Sequence, residues 1–450
     1  MAAPGLDRAA PPRPPLRGGH AAPGTDGPGR TAGAPVLIGR LLRPGLLRYA
    51  LAFAEQGLTS LLSLGVTLWL IRRGTAEQLG SYVFWANLVL VAGTLVAAFT
   101  SVHLYRLPPG PGGRWQSERA ILSANLLLAA LSGLAAAALV SVLGPPLGIW
   151  TAVLLVPGTV LGLHARSLAA SRGALGLSAA VSAVAFLAVA AVLAAESALG
   201  DPPSVPLLLA ANGLAQGLAG AAVILRLAGK GAADFGAGAR RRWRAMARRS
   251  GWALLAGAAN ETFTRLYIFL VAAWFGPVAL AGLAAAQAML RPATLLAGAF
   301  GAAARAPLAA RRHEGDARGF WRLLAIGATG PALVTLLLGA GMALLWPFVA
   351  QHVFGGRYEG LDGVVLLWAV VMAISCFWMA GLSALHVLGR LRALAAAETG
   401  GALTAAAAMP LLLHLLGPPG ALPAIALGGV VQVSLMARGV RRGLAAAGAR

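Results

Sequence analysis

Residues 69–85 read WLIRRGTAEQLGSYVFW, and residues 271–287 read VAAWFGPVALAGLAAAQ. Each is an apolar run, a short turn and a second apolar run. The two align without gaps at an offset of 202 residues, which pairs Gly74 with Gly276 and Gly80 with Gly282. Both pairs occupy the same turn of two stretches far apart in the chain. The sequence therefore predicts an internally duplicated helical bundle, the pattern of transporters built from structural repeats.

Composition extends this reading to the whole chain. Of 450 residues, 58% are apolar and only 11% charged, and the mean hydropathy is +0.76. Soluble domains carry roughly 25% charged residues, so this chain cannot solvate a surface of its own size. Its 59 glycines and 27 prolines are tolerated inside membrane helices. The fold class that follows is all-α: a polytopic membrane protein of about twelve transmembrane helices in two pseudo-symmetric six-helix bundles, both termini cytoplasmic. The spans fall near 47–71, 82–105, 119–143, 148–170, 174–196, 204–226, 251–275, 279–304, 323–350, 363–388, 393–416 and 419–438.

Loop charge tests the count. Twelve spans put alternate connections on opposite faces. One set is nearly bare of net positive charge: the Arg72, Arg73 and Glu77 turn, turns at Gly144, Gly276 and Gly417, the acidic Glu196 and Asp201 loop, and the Arg357, Glu359 and Asp362 loop. The other holds Arg106, Arg114, Arg119, Arg166 and Arg172, the block Arg226–Arg249, then Arg311, Arg312, Arg318, Arg322, Arg390 and Arg392. The positive-inside rule assigns the second face to the cytoplasm. It also accounts for a net charge of +22 without nucleic acid as a partner. The expected organisation is a disordered basic Pro/Gly-rich cytoplasmic tail over 1–46, an N-terminal bundle over 47–227, a basic cytoplasmic linker over 228–250, a C-terminal bundle over 251–440 and a cytoplasmic tail over 441–450.

Three stretches carry a family resemblance. Glu55–Trp85, EQGLTSLLSLGVTLWLIRRGTAEQLGSYVFW, joins an acid and Gln pair to a Ser/Thr-rich helix and a loop ending in Gly80-Ser81-Tyr82. Arg265–Leu296, RLYIFLVAAWFGPVALAGLAAAQAMLRPATLL, precedes the basic loop RAPLAARRHEGDARGFWRLL. LGRLRALAAAETGGALTAAAAMPLLLHLLGPPGALPAIALG, near the C-terminus, reads as helix, Gly-Pro turn and helix. Together they resemble the polysaccharide-transporter (Wzx-like) oligosaccharide flippases of the multidrug/oligosaccharidyl-lipid/polysaccharide exporter (MOP) superfamily. The resemblance implies alternating access in an inner (plasma) membrane and transport of a polyprenyl-diphosphate-linked oligosaccharide. The lipid bilayer and polysaccharide-assembly proteins would be its further partners. No cofactor is expected, and proton or sodium coupling stays open.

No metalloprotease, P-loop or nucleophile-elbow motif occurs, so no catalytic or metal site is expected and the chain is read as a transporter rather than an enzyme. The informative residues are ionisable ones inside spans, since a charge at the bilayer centre costs roughly 2.5–3.5 kcal/mol on insertion scales. Arg291, Arg265, Glu261, Asn260 and Gln287 form the expected substrate-binding set on a cavity wall, where guanidinium forks suit a diphosphate. Arg291 precedes Pro292, which permits a kink. Glu261 and Arg265 are one helical turn apart, so an internal ion pair is the competing reading. Glu55 and Glu398 are the candidates for ion coupling. Asn87, Asn125, Asn212, Gln216 and Gln432 are expected to act mainly as interhelical glue. Two alternatives to the oligosaccharide flippase remain: a drug or metabolite exporter of the same superfamily, which calls for cavity acids and few arginines, and a membrane-embedded polymerase or glycosyltransferase, which calls for catalytic groups on the outer loops.

Overall fold

The computed structural model of the chain describes residues 55, 57–107, 111–143, 148–200, 202–229, 231–248, 250–291, 304 and 307–448. The expected tail over 1–46 lies outside the described residues. All regular structure described is helical. In chain order the elements are α1 (57–73), α2 (Ala76–Phe99), a 3-10 segment (Ser101–Arg106), α3 (Pro111–Leu143), α4 (Ile149–Ser171), α5 (Leu175–Leu199), α6 (Val205–Ala228) and α7 (Ala237–Ala247). Then come α8 (Gly251–Met289), α9 (307–313), α10 (Ala317–Leu344), α11 (Trp346–Phe348), α12 (Asp362–Val387), α13 (Leu391–Leu416) and α14 (Ala421–Gly448).

Ten described helices are long and apolar enough to cross a membrane. One of them, α8, holds the expected span 251–275 and residues 279–289 of the next, whose later part lies largely outside the described residues. Gly276 sits inside it at φ 79°, a left-handed conformation open to glycine but strained for other residues, and Pro277 follows without a backbone donor. The run therefore breaks into two limbs at the turn that aligns with Gly74. The twelve expected spans then correspond to α1–α6, the two limbs of α8, α10, α12, α13 and α14.

Boundaries differ at several ends. The helix α10 runs Ala317–Leu344 rather than 323–350, because Asp316 caps it by accepting from Gly319 N at 2.7 Å. At the C-terminus, α14 continues to Gly448, through most of the stretch read as a tail. The basic linker is itself structured: α7 buries Ala239, tucks Trp243 so that its Nε1 donates to Phe99 O at 3.0 Å, and exposes Arg240, Arg241 and Arg244.

The outer surface suits lipid. Leu134, Leu187, Leu218, Leu337, Leu403 and Leu415 are all exposed, an apolar exterior that water would penalise and a bilayer would not. Backbone donors are satisfied within helices, and Pro157, Pro331 and Pro410 interrupt α4, α10 and α13 without ending them.

Candidate functional site

The buried apolar residues show how the halves meet. One large cluster is shared by both. It takes Leu70, Ile71 and Leu79 from the α1–α2 corner and Val271, Leu280, Trp346 and Leu413 from the second half. Near the basic loops the clusters separate. Leu104, Ile121, Leu168 and Ile224 pack within the first half, while Leu308, Phe320, Leu385, Leu394 and Val440 pack within the second. The apolar core is thus shared at the α1–α2 end and divided at the basic end, where a buried hydrogen bond between His103 Nε2 and Ser250 Oγ at 2.8 Å still ties the first half to the start of α8.

Two contacts close the joined end. A Cβ placed on Gly80 would come within 1.9 Å of Pro277 O, so only glycine lets α2 touch the break in α8. The two stretches that align in sequence are therefore in direct contact. Across the same end, Arg357 Nη1 donates to Ile71 O at 3.3 Å and to Gly74 O. These carbonyls end α1, whose last acceptors have no helical partner, and a guanidinium from the second half supplies one.

Below this seal lies a cavity of about 730 Å³, a size that holds a head group rather than a polymer. Its wall comes from α1, α2, α4, α5 and α6, with Gln287, Arg291 and Met372 contributed by the second half. Leu155, Val189, Leu208 and Leu209 make apolar patches. Thr59, Ser60, Ser63, Thr159, Asn212 and Gln216 supply uncharged polar groups. Among the described residues its charged lining residues are Arg166 and Arg291. Tyr82 lines the same wall as Arg291. Arg166 Nη1 lies 3.7 Å from Glu55 Oε1 and donates to Ser182 Oγ at 3.3 Å, and Ser178 Oγ donates to Glu55 Oε2 at 2.8 Å.

No protein-family model matches the sequence, and no curated protein does. Solved structures do. A multidrug resistance MATE family transporter of the MOP superfamily, in an inward-facing conformation, is similar over 88% of this chain and 98% of its own, with a TM-score of 0.66 and 13% identity. The lipid II flippase MurJ, in an inward closed conformation, is similar over 90% of each chain, with a TM-score of 0.64 and 12% identity. An outward-facing conformation of a multidrug resistance MATE family transporter gives a TM-score of 0.55 over 88% of this chain and 94% of its own, at 14% identity. This chain has the MATE and MurJ transporter fold.

Within the MATE/MurJ fold the expected site residues separate into three groups. Arg291 and Gln287 line the cavity. The helix α8 closes at its cap, Leu290, just ahead of Arg291, which is itself helical; Pro292 lies outside the described residues. Arg265, Glu261 and Asn260 are not among the cavity lining. Arg265 instead donates to Glu261 and to Asn87 Oδ1, and Thr94 Oγ1 donates to Glu261 Oε1 at 2.8 Å. That is the internal ion pair, stitched to α2. The carboxylates form the third group. Glu55 pairs with Arg166 beside the cavity, whereas Glu398 is 3% exposed and bound by Trp378 Nε1 at 2.8 Å and by Gln432 Nε2.

In the sequence Arg166 reads as a loop charge. The structure puts it inside α4 on the cavity wall, five residues before Ser171 ends the helix. Asn212 and Gln216 read in the sequence as interhelical glue. They bond each other along α6 instead, Gln216 Nε2 to Asn212 Oδ1 at 3.1 Å, and line the cavity. Their spacing of four residues placed them on one helix face, which was the available signal. Among the described residues no three His, Cys, Asp or Glu side chains gather as a metal site.

Proposed function

We propose that this protein moves a polyprenyl-diphosphate-linked oligosaccharide from the cytoplasmic to the outer leaflet of the inner membrane by alternating access, with both termini and the basic loops cytoplasmic. The observation that carries the proposal is the charge of the cavity: among the described residues its lining holds two arginines, Arg166, paired with Glu55 behind the wall, and Arg291, and no carboxylate. A guanidinium presents a planar fork to phosphate oxygens, and desolvation within an apolar wall strengthens the attraction. A cavity for organic cations calls for the opposite sign. Likeness to MurJ supports a lipid-linked cargo, whose tail stays in the bilayer while its head crosses the cavity.

The described state is the inward-facing one in this proposal. Support comes from the seal at the α1–α2 end, the divided apolar core at the basic end, and a higher likeness to the inward-facing than to the outward-facing MATE structure. Outward movement of each negative charge gains about 2.3 kcal/mol per 100 mV of inside-negative potential. Coupling to a proton or sodium ion would act through Glu55, whose partner Arg166 faces the cavity.

The test is flipping of a fluorescent lipid-linked oligosaccharide by purified protein in liposomes. Arg291→Ala should lower the rate about 100-fold and Arg291→Lys about 10-fold, since a point charge lacks the fork, at unchanged abundance. Wild-type rate in Arg291→Ala, or transport of organic cations in place of the lipid, would overturn the proposal.

A further inference from the structure

We propose that Thr159, Asn212 and Gln216 form a subsite for the uncharged, hydroxyl- and amide-bearing part of the cargo head, a carbohydrate subsite separate from the arginines that meet the diphosphate. The inference rests on the flippase reading and adds where the sugar is recognised.

The first observation is the hydroxyl of Thr159. At Thr67, Thr100, Thr264, Thr329, Thr335 and Thr404 the side chain donates to the carbonyl four residues back, the usual way a helical threonine satisfies itself in an apolar setting. Thr159 does not. It lines the cavity, is 4% exposed, and its Oγ1 is buried with no hydrogen-bond partner. A buried hydroxyl left unsatisfied is costly, and a ligand hydroxyl would supply both the donor and the acceptor it lacks.

The second observation is independent and lies on the next helix. Gln216 Nε2 donates to Asn212 Oδ1 at 3.1 Å. Two primary amides hold four N–H donors and two carbonyl oxygens, so one mutual bond leaves most of that capacity for a ligand. Gly162 keeps the pair in place, because a Cβ there would come within 3.1 Å of Gln216 Oε1 and 3.0 Å of its Cβ.

The three side chains stand on a rigid base. A Cβ on Gly158 would come 2.0 Å from Gly213 O, one on Gly213 2.3 Å from Leu155 Cα, and one on Gly220 3.1 Å from Gly162 Cα. Such backbone contact between small residues is how membrane helices pack closely, and it fixes the spacing between Thr159 on α4 and the amides on α6. At 1.5 Å per residue, Thr159 lies about 15 Å along α4 from its start and Gln216 about 16 Å along α6 from its start. Both are therefore near mid-membrane, whereas Arg166 is about 26 Å along α4, closer to the basic face.

The chemistry selects the ligand class. The subsite carries no ionisable group, mixes donors with acceptors, and adjoins Leu155, Leu208 and Leu209 on the same wall. A sugar ring presents hydroxyls at its rim and C–H groups on its faces, and matches both surfaces.

The experiment compares two fluorescent probes in liposomes containing the full-length protein: a polyprenyl diphosphate carrying a short oligosaccharide, and the same lipid diphosphate without sugar. The readout is the ratio of their flipping rates. Thr159→Val and Gln216→Leu should each lower that ratio about ten-fold, Thr159→Ser should stay within about two-fold of wild type because it keeps the hydroxyl, and Arg291→Ala should slow both probes together. Thr159→Ala, which adds no atoms, carries the test if the valine variant does not assemble. An unchanged ratio in the Thr159 and Gln216 variants, with wild type moving both probes, overturns the subsite and leaves the flippase reading standing. Wild type moving neither probe overturns both.

Discussion

Two glutamines, one in each half, sit over a glycine of a neighbouring helix and end in opposite circumstances. In the first half a Cβ at Gly162 would lie 3.0 Å from Gln216 Cβ, and in the second a Cβ at Gly401 would lie 2.7 Å from Gln432 Cβ. Gln216 turns its amide to a cavity, with Asn212 of its own helix as its partner. Gln432 is fully buried and donates to Glu398, which Trp378 also holds. Close helix packing is the same device in both halves. What differs is whether the polar group beside it is spent on another helix or kept for a ligand. Polar residues inside a membrane act as glue or as binding groups, and their packing alone does not say which.

The largest expected effect comes from the glycines themselves. Gly213→Val would drive a side chain into Leu155 Cα, a backbone atom that cannot yield, at a cost of about 3 kcal/mol or more. Folded protein should be lost from the membrane fraction, seen as collapse of a monodisperse gel-filtration peak. Gly401→Val should also be costly, since its Cβ would meet Gln432 Cβ at 2.7 Å and Gly428 O at 3.0 Å, but less so than at Gly213, where Leu155 Cα at 2.3 Å and Leu154 O at 2.6 Å stand closer. Equal tolerance of both substitutions would break the claim that backbone contact fixes the cavity wall.

Next in size is the polar contrast. Glu398→Leu leaves the Trp378 and Gln432 donors buried without an acceptor, at about 1–3 kcal/mol for each, so its thermal transition in detergent should fall well below that of wild type. Glu398→Gln should be nearly neutral. Gln432 Oε1 has no partner, and a turned Gln432 amide can accept from the new one. Gln216→Leu should change stability by less than about 1 kcal/mol while altering cargo selectivity. A large pH-dependence change in Glu398→Gln transport would instead return Glu398 to the coupling role that its place in a mid-span sequence suggested.

Much of this architecture is legible in the sequence. Apolar runs, loop charge and the Gly74/Gly276 alignment lead to twelve spans in two halves, because each is a local property of composition or spacing. The break at Gly276 is legible too, since glycine followed by proline leaves few conformations. Which face of each helix meets a cavity is not local. Arg265 and Arg291 are both cations inside apolar spans, and Glu261 one turn from Arg265 already raises an internal ion pair for that one. The approach of α2, which brings Asn87 and Thr94 to the pair and takes it from the cavity wall, is what the sequence does not show. Arg166 was hidden by the opposite effect: nearness to a helix end made it read as a loop charge, although α4 carries it inward far enough to line the cavity.

The smallest effect concerns helix starts. In the first half α2 is capped by Thr75, whose Oγ1 accepts from Gln78 N at 3.2 Å. That hydroxyl does not titrate near neutral pH. In the second half α10 starts at Asp316, outside the membrane span, and the bond from the Gly319 backbone, aided by Arg311, holds its carboxyl below the usual carboxylate range. A depressed folded value means that the stabilisation is fully present above the ordinary carboxylate pKa of about 3.9 and is lost as pH falls through the lower folded value. Because this carboxylate is at the surface, the effect is local rather than global. Hydrogen exchange, corrected for the intrinsic pH dependence of amides, should show the first turn of α10 loosening on acidification while the start of α2 holds. Asp316→Asn should keep a cap and remove the pH dependence. If both helix starts loosened together in acid, the difference between a charged cap in one half and a neutral cap in the other would carry no consequence.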